Sequence, residues 1–317
     1  MRIGANFWNQ YTAWPALLEA GIRADALGYD TLWTWDHLYA IVGDSRGDNF
    51  EGWLTITAWA ARTQRIRIGL LVGANPYREP TLVAKMATTL DHISNGRAIL
   101  GIGAAWNDEE ADAFGLAFGS GMPERLRWLG EALPLMRGML DGREPSALGP
   151  RYRATRTQNL PVPIQRRLPI LIGGMGERVT LRLVARFADM NNFGGGDIER
   201  IRAREQVLVR HCEAVGRDPA EIERTASVGT IFIRDTPAEA QRVGRGAFDQ
   251  NQAMPWYPHY GSPEQIADEL AAYLDLGYRH LIANFPAPYD EESVVRFATE
   301  VRPLLEGAGS PAKAPAR

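Results

Sequence analysis

The sequence predicts a single (β/α)8 TIM-type barrel, an α/β fold in which eight strands alternate with helices. The clearest unit spans 66–115, with alternating apolar residues over 66–72, an amphipathic helix that begins at Pro80, and a second apolar strand over 98–102. Two short apolar strands on either side of a helix form a βαβ unit, the building block of a parallel sheet. Because such patterns recur eight times in 317 residues, a closed barrel is favoured over an open sheet.

The predicted elements follow one another in a regular order along the chain. Each strand is a short apolar run, and each helix carries apolar residues at intervals of three or four. The strands are predicted at 3–8, 31–35, 66–72, 98–102, 169–172, 190–193, 226–233 and 280–285. The helices are predicted at 13–27, 53–62, 82–93, 125–140, 178–187, 198–215, 263–276 and 291–305.

Two long connections interrupt the repeats, as insertions after the fourth and the seventh strand. The first, 144–167, contains prolines and spaced basic residues, which predicts an irregular excursion or a short hairpin. The second, 234–261, has a helical start over 237–243 and then the aromatic run NQAMPWYPHY, which favours an ordered lid over disorder. We therefore expect one barrel domain over 1–307 and a flexible tail over 308–317.

Composition limits the classes of partner. The net charge is −3, and basic residues alternate with acidic ones, so we expect neither a nucleic-acid nor an anionic-membrane partner. No apolar run reaches the roughly 20 residues that span a bilayer, and the chain enters a strand without a leader, which predicts a cytoplasmic protein. The single cysteine, Cys212, excludes an internal disulfide, and no metal-binding motif occurs, so we expect no metal.

Asp36-His37 is the first candidate for chemistry. The pair follows the apolar strand TLWTW directly, at the carboxyl rim of the second strand, where barrel enzymes hold catalytic groups. Histidine exchanges protons near neutral pH, and a nearby carboxylate orients it and supports its charged form. The residues alone also fit a structural alternative, in which His37 caps the following loop and Asp36 accepts backbone N–H groups.

Glycine-rich loops follow the fourth and the fifth strand. The loop GIGAAWN, 101–107, lets a flat ligand approach the backbone closely. The loop GGMG, 173–176, leads into a helix whose free N–H groups suit a phosphate, although tight turns also use glycine for other reasons. Glu109 and Glu110 are expected only to stabilise a helix dipole, and Arg78 is either a site residue or a surface partner of Glu79.

Large side chains at strand ends and in the second connection are candidates for the wall of an apolar substrate pocket, with core packing as the alternative. Asn191 and Asn192 either bind a ligand or cap the sixth strand. The pocket candidates are Phe7, Trp8, Tyr39, Trp106, Asn192 and Trp256, with Tyr257 and Tyr260 beside them.

Asp36-His37, the stretch 66–115 and the segment ILIGGMGERVTLRLVARFADMNN together resemble the luciferase-like monooxygenase superfamily, and within it the branch that uses the deazaflavin coenzyme F420. The resemblance extends from the first strand to the last helix and implies the same barrel. It also implies F420 as the cofactor, with FMN as the alternative, and a homodimer, since relatives are often dimers.

The resemblance implies a role for each motif. His37 lies against the reactive face of the cofactor with Asp36 beside it as a further catalytic and cofactor-binding candidate, and a cis peptide bond between Leu71 and Val72 supports the ring from behind. Trp106 stands where F420-dependent sugar-phosphate dehydrogenases have an acidic residue, which argues against a sugar-phosphate substrate. The other implied cofactor contacts are Gly73, Ala104, Asn107 and a phosphate cradle made of Gly173, Gly174, Met175 and Gly176.

We therefore expect an F420-dependent oxidoreductase that transfers a hydride between the deazaflavin C5 and a small organic molecule, with His37 as proton donor or acceptor. The absence of an arginine from GIGAAWN, where several FMN-using relatives have one, favours F420. The alternative is an FMNH2-dependent monooxygenase that needs O2 and a flavin reductase. A non-catalytic barrel is a third hypothesis, and the intact motifs argue against it.

Overall fold

The eight predicted strands close into a barrel in the computed structural model, which describes residues 1–250 and 257–308. Neighbouring strands pair in parallel in chain order, and the last pairs with the first. The prediction of a (β/α)8 barrel is confirmed. The strands are β1 Arg2–Phe7, β2 Thr31–Thr34, β3 Arg67–Leu70, β4 Ala98–Gly103, β5 Ile170–Gly173, β6 Met190–Gly194, β7 Glu223–Ile233 and β8 His280–Phe285.

The described helices surround the barrel. Seven of the eight predicted helices form within three residues of their expected ends; the eighth, over 291–305, is two helices joined by the π-helical turn Phe297–Val301. None of the described helices is long and apolar enough to cross a membrane. The helices are α1 Trp14–Ala26, α2 Gly52–Arg62, α3 Pro80–Ser94, α4 Asp108–Ala113, α5 Met122–Leu140, α6 Thr180–Phe187, α7 Ile198–Ala214, α8 Pro237–Gln250, α9 Pro263–Asp275, α10 Glu291–Arg296 and α11 Arg302–Ala308.

The two long connections differ in structure. The first contains a short antiparallel hairpin, Ala147–Leu148 with Arg153–Ala154, which is one of the two predicted alternatives. In the second, helix α8 runs through to Gln250, longer than the predicted helical start, and His259–Gly261 pairs with β7. Trp256 and most of the aromatic run lie outside the described residues, as does the predicted tail beyond residue 308.

Alternate side chains of the strands fill the barrel in layers. At the amino-terminal end, His280 lies 2.8 Å from both the Thr31 hydroxyl and the Glu223 carboxylate. At the carboxyl end the interior-facing positions include Gly103 and Gly173, and both glycines line a cavity above the apolar layer. That middle layer consists of Trp33, Ile99, Leu171, Met190 and Ile282.

Glycine permits the close approach of β3 and β4 that shapes this cavity. A Cβ atom on Gly101 would overlap the carbonyl oxygen of Leu70, and one on Gly69 would lie 2.6 Å from the carbonyl oxygen of Ile99. Both obstacles are backbone atoms of the neighbouring strand, which cannot move without shifting the sheet. The loops after these two strands therefore start from positions that depend on glycine.

Replacing Gly101 by alanine should lower the free energy of unfolding by about 3 kcal/mol or more, because the new methyl group meets backbone rather than a flexible side chain. Urea denaturation measures the change. Gly246→Ala is the matched control: a Cβ there meets no atom within 4 Å, and alanine in a helix is favoured over glycine by about 0.5–1 kcal/mol. Equal stability of the two variants would contradict the close approach of the strands.

Candidate active site

A cavity of about 520 Å³ opens at the carboxyl end of the barrel, lined by the loops that follow β2 to β6. This is the end where barrel enzymes bind their ligands. The structure brings most of the sequence-predicted site residues to this cavity. Those that line it are Asp36, His37, Leu71, Val72, Gly73, Ala104, Trp106, Gly173, Gly174, Met175, Gly176 and Asn192.

Three aromatic residues expected in the pocket wall do not line this cavity; Phe7 and Trp8 pack in the core, as the alternative predicted, whereas Tyr39 is only half-buried. Phe7 packs in the main core with its ring 5.5 Å from Phe285, because its side chain leaves the strand towards the helices. Trp8 is fully buried against Trp35, with ring centroids 5.2 Å apart, and does not line the cavity. Tyr39 packs edge-on against Phe114 at 5.5 Å.

The peptide bond between Leu71 and Val72 is cis, as the family resemblance implies. The Val72 side chain occupies space left by two glycines of neighbouring strands. A Cβ atom on Gly103 would lie 2.8 Å from it, and one on Gly173 would lie 2.9 Å from it. Val72 and these two glycines together form the floor of the cavity at its centre.

A buried carboxylate holds His37. The Glu110 side chain has no exposed surface, and its Oε1 atom lies 2.5 Å from Nδ1 of His37 and 2.5 Å from the Tyr77 hydroxyl. Its Oε2 atom accepts hydrogen bonds from the backbone N–H groups of Leu38 at 2.7 Å and Tyr39 at 3.2 Å. The expectation that Glu110 only stabilises a helix dipole is therefore wrong, because its side chain turns inward and orients the histidine.

These contacts decide the charge of Glu110. Burial alone raises the pKa of this carboxyl, but the His37 ring, the Tyr77 hydroxyl and the Leu38 N–H outweigh burial and lower it below its usual value. Burial and the Glu110 carboxylate raise the pKa of Tyr77, so its hydroxyl remains a donor. Because Nδ1 of His37 is occupied by Glu110, Nε2 is the ring nitrogen left for a molecule in the cavity.

Asp36 contacts an arginine rather than the neighbouring histidine. Its buried carboxylate lies 2.7 Å from Arg78 and accepts a hydrogen bond from the Ala74 N–H at 2.9 Å. Burial raises the pKa of Asp36 to about 6, although Arg78 opposes the change. Arg78 also binds Glu51 at 2.7 Å and is not the surface partner of Glu79 that one interpretation predicted. Asp36 therefore fixes the loop after β3 and does not orient His37.

Trp106 and Asn107, neighbours in the loop after β4, make different contacts. Trp106, half of whose surface is exposed, packs its ring 5.2 Å from the His37 ring at the mouth of the cavity. Asn107 does not line the cavity; its side-chain oxygen accepts a hydrogen bond from the Glu109 N–H and caps α4. This contact is a helix N-cap, and the cofactor contact expected of Asn107 stays a prediction.

The glycine loop after β5 offers a cradle for an anionic group. Gly174 adopts a φ of 108°, and the buried Asn191 side chain donates to the Ile172 carbonyl at 2.7 Å, which fixes the loop. Thr180, at the start of α6, lines the cavity with only 7% of its surface exposed. Among the described residues its hydroxyl has no hydrogen-bond partner. Such a hydroxyl beside helix-terminal N–H groups suits a phosphate oxygen.

The rest of the cavity is apolar. Asn192 is already engaged with β7, where it donates to the Thr225 hydroxyl at 2.9 Å and accepts from Ser227 at 3.1 Å. No lysine or arginine belongs to the cavity wall over the ranges 1–250 and 257–308. The same part of the chain contains no cluster of side chains that would hold a metal ion.

Comparison with known proteins gives consistent results. A sequence model of the luciferase-like monooxygenase family matches residues 5–260. An F420-dependent glucose-6-phosphate dehydrogenase of Microbacterium testaceum is 25% identical over an alignment 318 positions long, which covers 91% of this chain and 93% of that protein. An uncharacterized protein of Mycobacterium tuberculosis is 28% identical over 226 residues, 71% of this chain and 74% of that protein.

Solved structures share the fold at low sequence identity. An F420-dependent secondary alcohol dehydrogenase, in complex with an F420–acetone adduct, has a TM-score of 0.83 at 17% identity and covers 96% of this chain and 98% of its own. A long-chain alkane monooxygenase has a TM-score of 0.80 at 16% identity and covers 98% and 92%. At these identities the likeness establishes the barrel fold.

The Glu110 contacts predict a pH-dependent contribution to stability. Because the pKa of Glu110 is lower in the folded than in the unfolded chain, its contribution is present above the unfolded value of 4.5 and is lost as the pH falls. Glu110→Gln should lower the free energy of unfolding by about 2–3 kcal/mol at pH 7. Urea denaturation should find a smaller difference from wild type at pH 4.

Glu109→Gln is the matched control for this measurement. Glu109 is exposed, and its side chain accepts a hydrogen bond only from Ser45, at 3.1 Å, among the described residues. Its replacement should change stability by less than about 0.5 kcal/mol at either pH. If Glu110→Gln lowers the free energy of unfolding by the same amount at pH 7 and at pH 4, the neighbours of Glu110 do not lower its pKa in the folded protein.

Proposed function

Because the chain belongs to the luciferase-like monooxygenase family, we propose that it is an F420-dependent oxidoreductase acting on a small apolar alcohol or carbonyl compound. The observation that carries the proposal is the His37 ring, which lines the same cavity as the glycine loop while Glu110 holds its Nδ1 atom. A candidate proton-transfer residue and a candidate phosphate-binding loop thus line the same cavity. A small-molecule partner, a homodimer and a cytoplasmic location remain predictions.

The residues of the cavity suit F420. The glycines at 103 and 173 carry no side chain that would block a flat ring above Val72, and the unpartnered Thr180 hydroxyl beside the loop 173–176 suits a phosphate oxygen. These residues would hold the cofactor through backbone contact and hydrogen bonds rather than through charged side chains. Bound there, F420 supplies a hydride donor or acceptor at its C5 atom.

His37 is the residue that we assign to proton transfer. With Nδ1 held by Glu110, its Nε2 atom takes the proton of a substrate hydroxyl during oxidation or returns a proton to a carbonyl oxygen during reduction. The ionised Glu110 stabilises the imidazolium that forms when Nε2 accepts a proton. Asp36, which is bound to Arg78, takes no part in this transfer.

The cavity wall supports an apolar, uncharged substrate. Ile41, Met122 and Leu126 line it together with Trp106. A sugar phosphate would need a second anion site beside the cradle that the cofactor phosphate would occupy, and the described wall offers no cationic side chain for one. The curated relatives named as glucose-6-phosphate dehydrogenases therefore do not define the substrate class proposed for this chain.

Cofactor binding tests the proposal against the flavin alternative. Titration of the apo-protein with F420, followed by fluorescence, should give saturable binding that is much tighter than binding of FMN. Thr180→Val should weaken F420 binding about fivefold, the effect of one hydrogen bond worth about 1 kcal/mol. Tighter binding of FMN would favour an FMNH2-dependent monooxygenase; a long-chain alkane monooxygenase has the same fold as this chain. Oxygen consumption in the presence of a flavin reductase would then test that activity.

Replacement of His37 separates binding from proton transfer. His37→Gln should lower the turnover of short secondary alcohols about 10²–10⁴-fold, the usual contribution of a general acid or base. Its F420 affinity should remain within a few-fold of wild type. His92→Gln, an exposed histidine on α3, is the control and should leave turnover unchanged. Wild-type turnover by His37→Gln would refute the proton-transfer assignment.

A further inference from the structure

The amino-terminal end of the barrel, opposite the candidate active site, contains a second polar cavity. It has a volume of about 280 Å³ and is lined by Arg2, Arg65, Arg67 and Asp30, together with a few residues of the first turns. Three arginines and a single carboxylate give this cavity an excess of positive charge.

Two of the arginines are already paired. Arg2 lies 2.7 Å from the Glu223 carboxylate, and Arg65 donates to the carbonyl oxygen of Asp25 at 2.5 Å. The carboxylate of Asp30 accepts a hydrogen bond from the Ile3 N–H at 2.9 Å and lies 3.3 Å from Arg302. Asp30 is therefore engaged by other groups; its charge also stabilises the Arg2 cation, but it forms no ion pair with Arg65 or Arg67.

Arg67 is the exception. It begins β3 opposite Thr31, with its side chain partly buried at the floor of the barrel. Over residues 1–250 and 257–308 its guanidinium group has neither an ion pair nor a hydrogen bond. Burial lowers the pKa of Arg67, and the positive charge of Arg2 lowers it further, whereas Glu223 raises it.

Glu223 attracts Arg67 through its charge but forms no ion pair with it. Its two oxygens are bound to His280 at 2.8 Å and to Arg2 at 2.7 Å. Burial removes part of the hydration of the Arg67 guanidinium, and acceptor atoms in the adjoining cavity would compensate for that loss. An anion in the adjoining cavity would supply the acceptor oxygens and offset the excess charge.

We propose that this cavity binds a small tetrahedral oxyanion, either free phosphate or the phosphate group of a small phosphomonoester, with Arg67 as its principal ligand. The planar guanidinium presents paired N–H donors that match two phosphate oxygens. Arg2 and Arg65 add positive charge from the sides of the same cavity. The cavity is several times the roughly 30 Å³ that one water occupies in the liquid, so a phosphate group has space.

Thermal unfolding in phosphate, compared with chloride at equal ionic strength, tests this site. Wild type should show a saturable rise in unfolding temperature. Arg67→Met should weaken the apparent phosphate affinity at least about tenfold, the loss of charge-assisted hydrogen bonds. In phosphate-free chloride buffer Arg67→Met should be at least as stable as wild type, because it removes a charge without a partner.

Matched variants distinguish phosphate binding in this cavity from phosphate binding at the glycine loop and from a general effect of net charge. Thr180→Val, which lacks the hydroxyl of the upper cavity, should retain the phosphate effect, as should Arg46→Met, which removes an exposed arginine bound to Asp44. Arg65→Met, at the exposed rim, should weaken binding by a smaller factor than Arg67→Met. This last variant provides a test that does not depend on the folding of Arg67→Met.

Binding of glycerol 3-phosphate distinguishes a phosphomonoester from free phosphate as the ligand of this cavity. Tighter binding than inorganic phosphate, lost in Arg67→Met, would support a phosphomonoester; equal binding, lost in the same variant, would support the free ion. A phosphate effect that persists in Arg67→Met and disappears in Thr180→Val would overturn the proposal, as would the absence of any effect beyond that of chloride.

Discussion

The carboxylate of Glu110 is the interaction on which the geometry of the candidate active site depends. It lies on α4 with no exposed surface and receives donors from two other loops: the ring of His37, the N–H groups of Leu38 and Tyr39 after β2, and the Tyr77 hydroxyl after β3. A buried carboxylate is tolerated only when such donors surround it. One side chain therefore fixes three neighbouring loops relative to one another, and the position of His37 follows from it.

The two buried carboxyls near His37 have opposite properties, because their surroundings differ. Hydrogen bonds from the His37 ring, the Tyr77 hydroxyl and the Leu38 N–H lower the pKa of Glu110, whereas burial raises the pKa of Asp36 to about 6 against the single arginine beside it. Glu110 remains ionised at neutral pH and can stabilise a charged histidine. Asp36 instead anchors Arg78 and the Ala74 backbone.

The barrel could be predicted from sequence because its signals are local: short apolar strands, amphipathic helices, and glycine or proline at their ends. The β8 strand, for example, has the predicted bounds His280–Phe285. The role of Glu110 could not be predicted, since α4 has only six residues and begins with three acidic ones, a pattern typical of an exposed helix start. The side on which Phe7 lies depends on strand register, and the Asp36–Arg78 pair joins residues 42 positions apart. Both features depend on tertiary structure, which local sequence patterns do not determine.

The most direct test of this account is the tautomer of His37, observed by ¹⁵N NMR of protein labelled at its five histidines. Comparison with His37→Gln identifies its signals. If the ionised Glu110 accepts a hydrogen bond from Nδ1, the neutral ring of His37 carries its proton on Nδ1 and leaves Nε2 free to accept. Glu110→Gln should abolish that preference. A neutral ring protonated on Nε2 in wild type, or a tautomer unaffected by Glu110→Gln, would contradict the claim that this carboxylate prepares His37 for proton transfer.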